Sequence, residues 1–449
     1  MKNTAKVLCF LSVIGLTLLF SASAKSMTPK IEVAKLLAGD GTSADFFGYS
    51  VGLDGDTAVI GAWGDDDNGG NSGAAYVFTR TAGVWTEQQK LTASDAAATD
   101  SFGLSVAVDG DTAVISSFLD SDNGRFSGSA YVFTRTAGVW TEQQKLTASN
   151  AASLEFFGIS VAVDGDTVVI GAWGDNDNGN SAGAAYVFAR SAGVWTEQQK
   201  LTASDGVSQD FFGISVAVDD DTTVIAADGG GVIDGPGSVY VYTRSAGTWA
   251  EQQKLTASDG SSNDEFGISV AVDGDTAVIG AHWHDKVGDN SGAAYVFTRS
   301  AGVWTEQQKL TPSDAAAIDE FGESVAVDGQ NIVVGAWLDD DNGDSSGSVY
   351  VFTLSAGVWT ERLKLLASDG RNDDHLGYFR SGVQISGTTV LAGAPQDTTP
   401  GMAGAAYVFD TYFPVIVIHV GNSGGGAIGL LTALLLLLCW RRTKQLLIF

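Results

Sequence analysis

The sequence holds only two cysteines in 449 residues, Cys9 and Cys439, and both fall in terminal segments that read as removable. The chain between them has no thiol, which excludes disulfide stapling and thiolate chemistry. Its stability must come from packing. Basic residues are scarce as well: 24 Lys and Arg stand against 53 Asp and Glu, a net charge of −29. Losing Lys2, Lys6, Arg441, Arg442 and Lys444 with the termini leaves 19 basic residues against 53 acidic ones, a net charge of −34. Such a surface repels phosphate and excludes nucleic acid as a partner, while it favours solubility, cations and basic partners. Histidine is rarer still, with four in the chain. No serine–histidine–acid constellation is recognisable, and carboxylate pairs are too plentiful to single out a glycosidase site. The expectation is a protein that is not an enzyme.

What the chain has is a repeat. Phe47-Gly48 returns at Phe102-Gly103, Phe157-Gly158, Phe212-Gly213, Phe266-Gly267 and Phe321-Gly322, with a weaker copy at Leu376-Gly377. The period is 55 residues, 54 once. A fixed period of this length signals a repeat architecture. In the first copy four runs read as strands: Tyr49–Asp54, Thr57–Ala62, Ala74–Arg80 and Trp85–Ala93. Asp-Gly joins the first two and Thr81-Ala82-Gly83 the last two, both tight-turn signals. Ala58-Val59-Ile60 is apolar on both faces and must be covered on both. The fourth run reads as an alternating outer strand, with Trp85, Glu87, Gln89 and Leu91 on one side and Thr86, Gln88 and Lys90 on the other; a lysine there suits an edge that must not pair with strangers.

Four antiparallel strands repeated seven times predict an all-β, seven-bladed β-propeller. Chain register separates this from a linear solenoid. Lys35–Asp40 (KLLAGD) matches Lys90–Asp95 (KLTASD) at an offset of 55, so the chain starts with a fourth strand. The last repeat ends at Ala405–Asp410 without one. The N-terminal strand would therefore pair into the last blade and close the ring, leaving no free end to cap.

The pattern Phe-Gly-x-Ser-Val, Val-Ile-Gly-Ala and Gly-Ala-Ala-Tyr-Val-Phe resembles the FG-GAP repeats of integrin α-subunit propellers and their bacterial relatives, over residues 31–410. The resemblance implies the propeller and a role in protein interaction or adhesion. This chain departs from the pattern twice. The proline of the family name survives only at Gly393-Ala394-Pro395; Trp63, Phe118, Trp173, Asp228, His282 and Trp337 stand there in the other copies. The calcium loop often found between the first two strands is reduced to Asp54-Gly55-Asp56, too short for that role.

The termini are different material. Residues 1–24 read as a secretory signal peptide: Lys2 and Lys6, apolar Val7–Phe20, and Ala22-Ser23-Ala24 as the cleavage site. Residues 25–30 are a lead-in. Residues 411–449 run from Gly424-Gly425-Gly426 through an apolar stretch to Arg441 and Arg442. This looks like a GlyGly-CTERM sorting tail, which a rhomboid-family protease clips at the inner membrane of Gram-negative bacteria; the alternative is a plain tail anchor. Both place the protein outside the cytoplasm, secreted or at the cell surface, with membrane attachment through the tail. The expected state is a monomer.

The long loops should all emerge on one face, and three sets of residues there could carry function. Asp65-Asp66-Asp67-Asn68-Gly69 and its counterparts hold alternate carboxylates, the hard oxygen ligands calcium needs. The candidate metal residues are Asp65, Asp67, Asp120, Asp122, Asp175, Asp177, Asp339 and Asp341. Against calcium, an EF-hand-like loop needs a glutamate at its twelfth position, where Tyr76 stands, and Asp/Asn/Gly runs also make plain turns. An acid also precedes each Phe-Gly or its equivalent by two residues: Asp45, Asp100, Glu155, Asp210, Asp264, Asp319 and Asp374. A short acidic side chain at a strand entrance bonds nearby backbone amides, or adds to a cation site. Third, Trp63, Phe118, Trp173, Trp283 and Trp337 are candidate ligand-binding aromatics, suited to sugars or protein partners, or else fillers between blades. His282 and His284 could bind zinc with Asp285. The chain thus reads as a binding module for a protein ligand, calcium-assisted, with a carbohydrate-binding propeller and an extracellular polysaccharide-acting enzyme as the other readings.

Overall fold

The computed structural model describes residues 32–229, 235–285, 287–397 and 403–411. The expected signal peptide and lead-in, the expected sorting tail from residue 412, and short stretches of the long loops at 230–234, 286 and 398–402 lie outside these residues. The described chain forms seven four-stranded antiparallel sheets, the blades of a β-propeller. Blade 1 runs from an inner strand, Val51–Asp54, through Thr57–Ala62 and Ala74–Thr81 to an outer strand, Val84–Leu91. Blade 7 takes its outer strand from the chain start. Glu32–Leu36 pairs antiparallel with Ala405–Asp410, with Lys35 opposite Tyr407 and Leu36 opposite Ala406. The ring closes as the register argument requires.

The second strand of each blade is sandwiched between neighbours. Val59, Ile60, Val114, Ile115, Val169 and Ile170 have no exposed surface. Each such side chain contributes about 1.5–3 kcal/mol when buried. The motif glycines follow from how closely blades approach. A Cβ on Gly61 would sit 1.9 Å from the carbonyl oxygen of Gly103 in the next blade. Gly73, at φ +83°, would place one 2.0 Å from the carbonyl oxygen of Phe102. Only glycine fits both backbones.

The outer strand corrects the sequence reading. Its pairing register slips between Val77 and Phe78, which face Gln89 and Glu87 and leave Gln88 as a bulge. One extra residue inverts the alternation beyond it. Lys90 therefore lies opposite Tyr76, on the same face as Trp85 and Glu87, and not across from them. It is no edge guard; its ammonium points into the blade's own acidic cluster. The same slip occurs in the outer strands of the other blades.

The remaining residues of the outer strand hold the next blade. Gln89 Nε2 donates to the Trp140 carbonyl at 2.8 Å while its Oε1 accepts from the Trp140 amide at 3.0 Å. Trp140 Nε1 donates to Gln88 at 3.3 Å. Glu142 accepts from both the amide and the hydroxyl of Ser94, each at 2.8 Å. Each Arg of the third strand grips its own tight turn and a threonine of the preceding blade, as Arg135 does with Asp111 at 2.6 Å and Thr57 at 2.8 Å.

Blade 7 carries one device that no other blade has. Between Leu376-Gly377 and its inner strand, Val383–Ser386, lie three more residues than between Phe47-Gly48 and Val51. The extra chain crosses the axis. The Ser381 carbonyl accepts from the Val51 amide of blade 1 at 2.9 Å, and the Arg380 carbonyl accepts from Ser269 of blade 5 at 2.8 Å. Phe379, Arg380 and Ser381 line an axial cavity of about 190 Å³ walled by Val106, Val161, Val216 and Val270.

Candidate functional site on the loop face

The loop face begins with the acidic loops. Asp65 and Asp67 do converge, as do Asp120 with Asp122, Asp175 with Asp177, and Asp339 with Asp341. At the centre of each group is the lysine that the bulge re-aimed. Lys90 Nζ lies 2.7 Å from Asp65, 2.6 Å from Asp67 and 2.9 Å from Asp40. Lys145 holds Asp120, Asp122 and Asp95 at 2.7, 2.8 and 2.8 Å. Lys200 holds Asp175 and Asp177, and Lys364 holds Asp339, Asp341 and Asp314. Lys35 repeats the arrangement with Asp369 and Asp397 across the closing seam. Burial lowers the pKa of Lys90, but three carboxylates outweigh it and hold the ammonium above its ordinary value. Tyr76, standing where a calcium-loop glutamate would be, donates its hydroxyl to Asp40 at 2.7 Å and to Asp65 at 2.9 Å. Partial burial and these carboxylates push its phenol upward.

The acids before the Phe-Gly pairs cap backbone. In every blade the carboxylate accepts the amide three residues earlier: Thr42 to Asp45 at 2.6 Å, Ala97 to Asp100 at 2.8 Å, Ala152 to Glu155 at 2.8 Å, and likewise at Asp210, Asp264, Asp319 and Asp374. The residue that follows each acid is left-handed without being glycine: Phe46, Ser101, Phe156, Phe211, Glu265, Glu320 and His375, at φ +52° to +58°. This backbone costs of order 1–3 kcal/mol per residue. Hydrogen bonds to the long loop of the preceding blade hold it, as from Ser101 N to the Asn71 carbonyl at 3.0 Å and from Phe102 N to Ser72 at 3.0 Å.

That turn places three rings of side chains around the axis. One is the left-handed set. The second stands in place of the family proline: Trp63, Phe118, Trp173, Asp228, His282, Trp337 and Pro395. The third follows the Phe-Gly pairs: Tyr49, Leu104, Ile159, Ile214, Ile268, Glu323 and Tyr378. Over blades 1 to 3 the rings are mostly aromatic and aliphatic. Trp63 stacks on Phe46 with centroids 4.7 Å apart and an interplanar angle of 4°, and Trp173 on Phe156 at 4.7 Å and 2°. Phe211 meets Trp173 edge-on at 5.0 Å, and Phe118 lies against Phe156 at 6.3 Å. These predicted aromatics are half-buried and packed on one another.

Over blades 5 and 6 the same positions are ionisable. His282 replaces tryptophan, Glu265 and Glu320 replace phenylalanine, and Glu323 replaces an aliphatic residue. His282 Nδ1 lies 2.6 Å from Glu323 Oε2, and Nε2 lies 3.4 Å from Glu265 Oε2. Burial lowers the His282 pKa, but the surrounding glutamates raise it above its ordinary value. Burial pushes the Glu265 carboxyl up to about 7 and raises Glu320 also. Trp337 Nε1 donates to Glu320 at 2.8 Å, and its ring meets His375 and Tyr378 at 4.7 and 4.8 Å. Trp283 is one residue out of register with the aromatic ring and is 38% exposed.

The proposed trio of His282, His284 and Asp285 does not form. His282 turns to Glu323. His284 Nδ1 pairs with Asp264 at 2.8 Å, and its Nε2 meets Lys309. Asp285 accepts the Asn290 amide at 2.8 Å. The chain turns at residues 282–283, with the His284 amide donating to the Ala281 carbonyl at 3.2 Å, so the two imidazoles leave the turn in different directions, and His284 takes the place that a loop aspartate holds in the lysine clusters. Glu265, Glu320 and Glu323 did not stand out in the sequence, because the strong repeat masks single departures; the signal they carry is a glutamate at repeat positions that hold phenylalanine or an aliphatic residue in other copies.

Among protein-family models, the one described as FG-GAP repeat matches the chain seven times, over residues 31–78, 85–133, 140–188, 195–242, 249–297, 304–352 and 359–409. No curated protein matches the chain.

Proposed function

This chain belongs to the FG-GAP repeat family, and from that premise we propose that it is a non-catalytic binding module that takes a protein partner on its loop face, in an adhesive role outside the cytoplasm. The observation that carries this reading is the division of that face into an aromatic arc over blades 1 to 3 and an ionisable arc over blades 5 and 6, with Trp283 exposed beside the second. Protein interfaces concentrate aromatic area at their centres and keep polar and charged groups toward the rim, which an aromatic arc flanked by an ionisable one supplies. A glycan needs an open aromatic face, and the stacks of Trp63 on Phe46 and Trp173 on Phe156 cover one face of each tryptophan. That favours protein over sugar.

A photo-crosslinking amino acid in place of Trp283, in the full-length protein at the surface of its own cells, should capture a polypeptide. The same group in place of Val194, 54% exposed at a tight turn, should capture none. Binding on a glycan array that disappears on Trp63→Ala and Trp173→Ala would establish the carbohydrate reading instead. Calcium assistance at the aspartates of the long loops requires the dication to displace a lysine ammonium from each cluster. A melt of the full chain with millimolar calcium, then magnesium, then chelator tests it, since a ligand of the folded state alone raises its stability.

A further inference from the structure

We propose that His282, Glu320 and Glu323 form a binding site for one transition-metal dication of the zinc class, built across the junction of blades 5 and 6. The donor atoms of the three side chains all lie within 4.8 Å of one another. Zinc sites take imidazole nitrogen and carboxylate oxygen at about 2.0–2.2 Å, so three donors around one ion stand about 3–4 Å apart. A small rotamer adjustment closes the set.

Three observations separate this group from an ordinary acidic patch. The first is its chemistry. One imidazole with two carboxylates suits zinc and its first-row neighbours, whereas calcium takes oxygen ligands alone. The second is the imidazole itself. His282 is 5% exposed and Glu323 7%. Nδ1 lies 2.6 Å from Glu323 Oε2 but off the line that an N–H donor needs, so this buried nitrogen makes no directed hydrogen bond. A buried polar atom without a well-directed hydrogen bond is costly, and a bound ion is one of the ways it is satisfied. The third is the contrast with the acidic loops. Lys90, Lys145, Lys200 and Lys364 each occupy a carboxylate cluster, whereas no lysine pairs with any of these three residues among the described ion pairs.

The three residues come from the three separate rings around the axis, at positions that are mostly aromatic or aliphatic over blades 1 to 3. They meet only because the blades stack. Trp337 donates to Glu320 at 2.8 Å and orients it, as an outer residue commonly does for a metal ligand. Glu265 lies 3.4 Å from the other imidazole nitrogen, the position from which an outer carboxylate would orient a ligating histidine. Three protein ligands leave a coordination position open, and the exposed Trp283 adjoins it in sequence. The site stands independently of which partner the loop face takes.

The test is metal uptake by the full-length protein. It is stripped with chelator, loaded with zinc sulfate, passed through a desalting column and measured by elemental analysis, with affinity read by competition against a chromophoric chelator. One equivalent per chain is expected. His282→Gln and Glu323→Gln should each weaken binding by at least about 10-fold, the lower range for residues that only orient a ligand. His284→Gln and Asp120→Asn should leave it unchanged. Because His282→Gln could disturb folding, cobalt loaded into the unmodified protein gives a second reading. A visible spectrum of low-symmetry cobalt with a nitrogen donor in its X-ray absorption supports the site. No retained zinc, retention that survives both ligand substitutions, or a cobalt shell of oxygen alone would overturn it.

Discussion

The aspartate that precedes each Phe-Gly pair does work that needs only a neutral oxygen. Asp100 accepts one amide, from Ala97, and burial holds its carboxyl above the usual carboxylate range, with that hydrogen bond offsetting only part of the effect. The same direction holds at Asp45, Glu155, Asp210 and Asp319. An acid raised on folding adds stability that is complete below its unfolded pKa, near 3.8 for Asp100, and that is lost as pH rises through the folded value. Asp100→Asn keeps the acceptor and removes the charge. It should equal or exceed the unmodified protein in urea melts at pH 7, with the advantage shrinking toward pH 4. Asp100→Ala strands the Ala97 amide and should lose about 1 kcal/mol at both. An asparagine variant weaker at pH 7 than at pH 4, relative to the unmodified protein, would show that the charge itself is needed. The role of these acids was legible in the sequence because it is local: an acid at fixed spacing before a turn meets an amide three residues away whatever the rest of the fold does.

At the scale of the strand, the bulge at Gln88 decides what Lys90 is for. The strand and its partner were legible from turns and apolar runs, its ends to within two residues: Trp85–Ala93 was expected and Val84–Leu91 is found. The bulge was not, because Trp-Thr-Glu-Gln-Gln-Lys alternates acceptably without one, and only the partner strand shows that two residues face the space of one. The reading of Lys90 as an edge guard then failed, and with the lysine placed on the wrong side nothing in the sequence showed that the loop carboxylates hold an ammonium. Removing a lysine should therefore expose the metal chemistry that the loops hold in reserve. Lys145→Met leaves Asp95, Asp120 and Asp122 facing one another, with Asp120 buried. Breaking a fully buried pair costs roughly 3–5 kcal/mol; the partly exposed ammonium lowers this to roughly 2 kcal/mol. Millimolar calcium should restore part of that loss in Lys145→Met and do less for the unmodified protein. Equal calcium response in the two proteins would show that the carboxylates do not need an occupant at all.

For the molecule as a whole, the glutamine clasp between blades is missing at two junctions, the one after blade 6, where Arg362-Leu363 stand in its place, and the closing seam, where the sequence ends are also joined. Five blade junctions carry the Gln-Gln clasp on the next tryptophan: Gln88-Gln89, Gln143-Gln144, Gln198-Gln199, Gln252-Gln253 and Gln307-Gln308. At the closing seam Val33-Ala34 stands in that place, 55 residues before Gln88-Gln89. Trp85 accordingly has a buried Nε1 with no partner and is 8% exposed, where Trp140, Trp195, Trp249, Trp304 and Trp359 are at 2%. The seam keeps other ties: Phe47 N to the Ala403 carbonyl at 2.7 Å, Gly39 N to Glu87 at 2.7 Å, and Arg80 to Thr389 at 2.9 Å. A closed ring unfolds first where its contacts are fewest. Amides of Glu32–Leu36 and Ala405–Asp410 should therefore exchange faster than the matching strands of blade 2. Val33→Gln with Ala34→Gln should install the missing clasp. With about 0.5–1.5 kcal/mol for each hydrogen bond gained, and one buried N–H satisfied, the pair should raise the melting temperature and slow exchange at the seam before any other blade. Gln143→Val with Gln144→Ala should do the reverse at the junction of blades 2 and 3, turning an ordinary junction into a second seam. If the installed glutamines change neither quantity while the removed ones lower both, the weakness lies in the strand's separate origin and not in the two side chains it lacks.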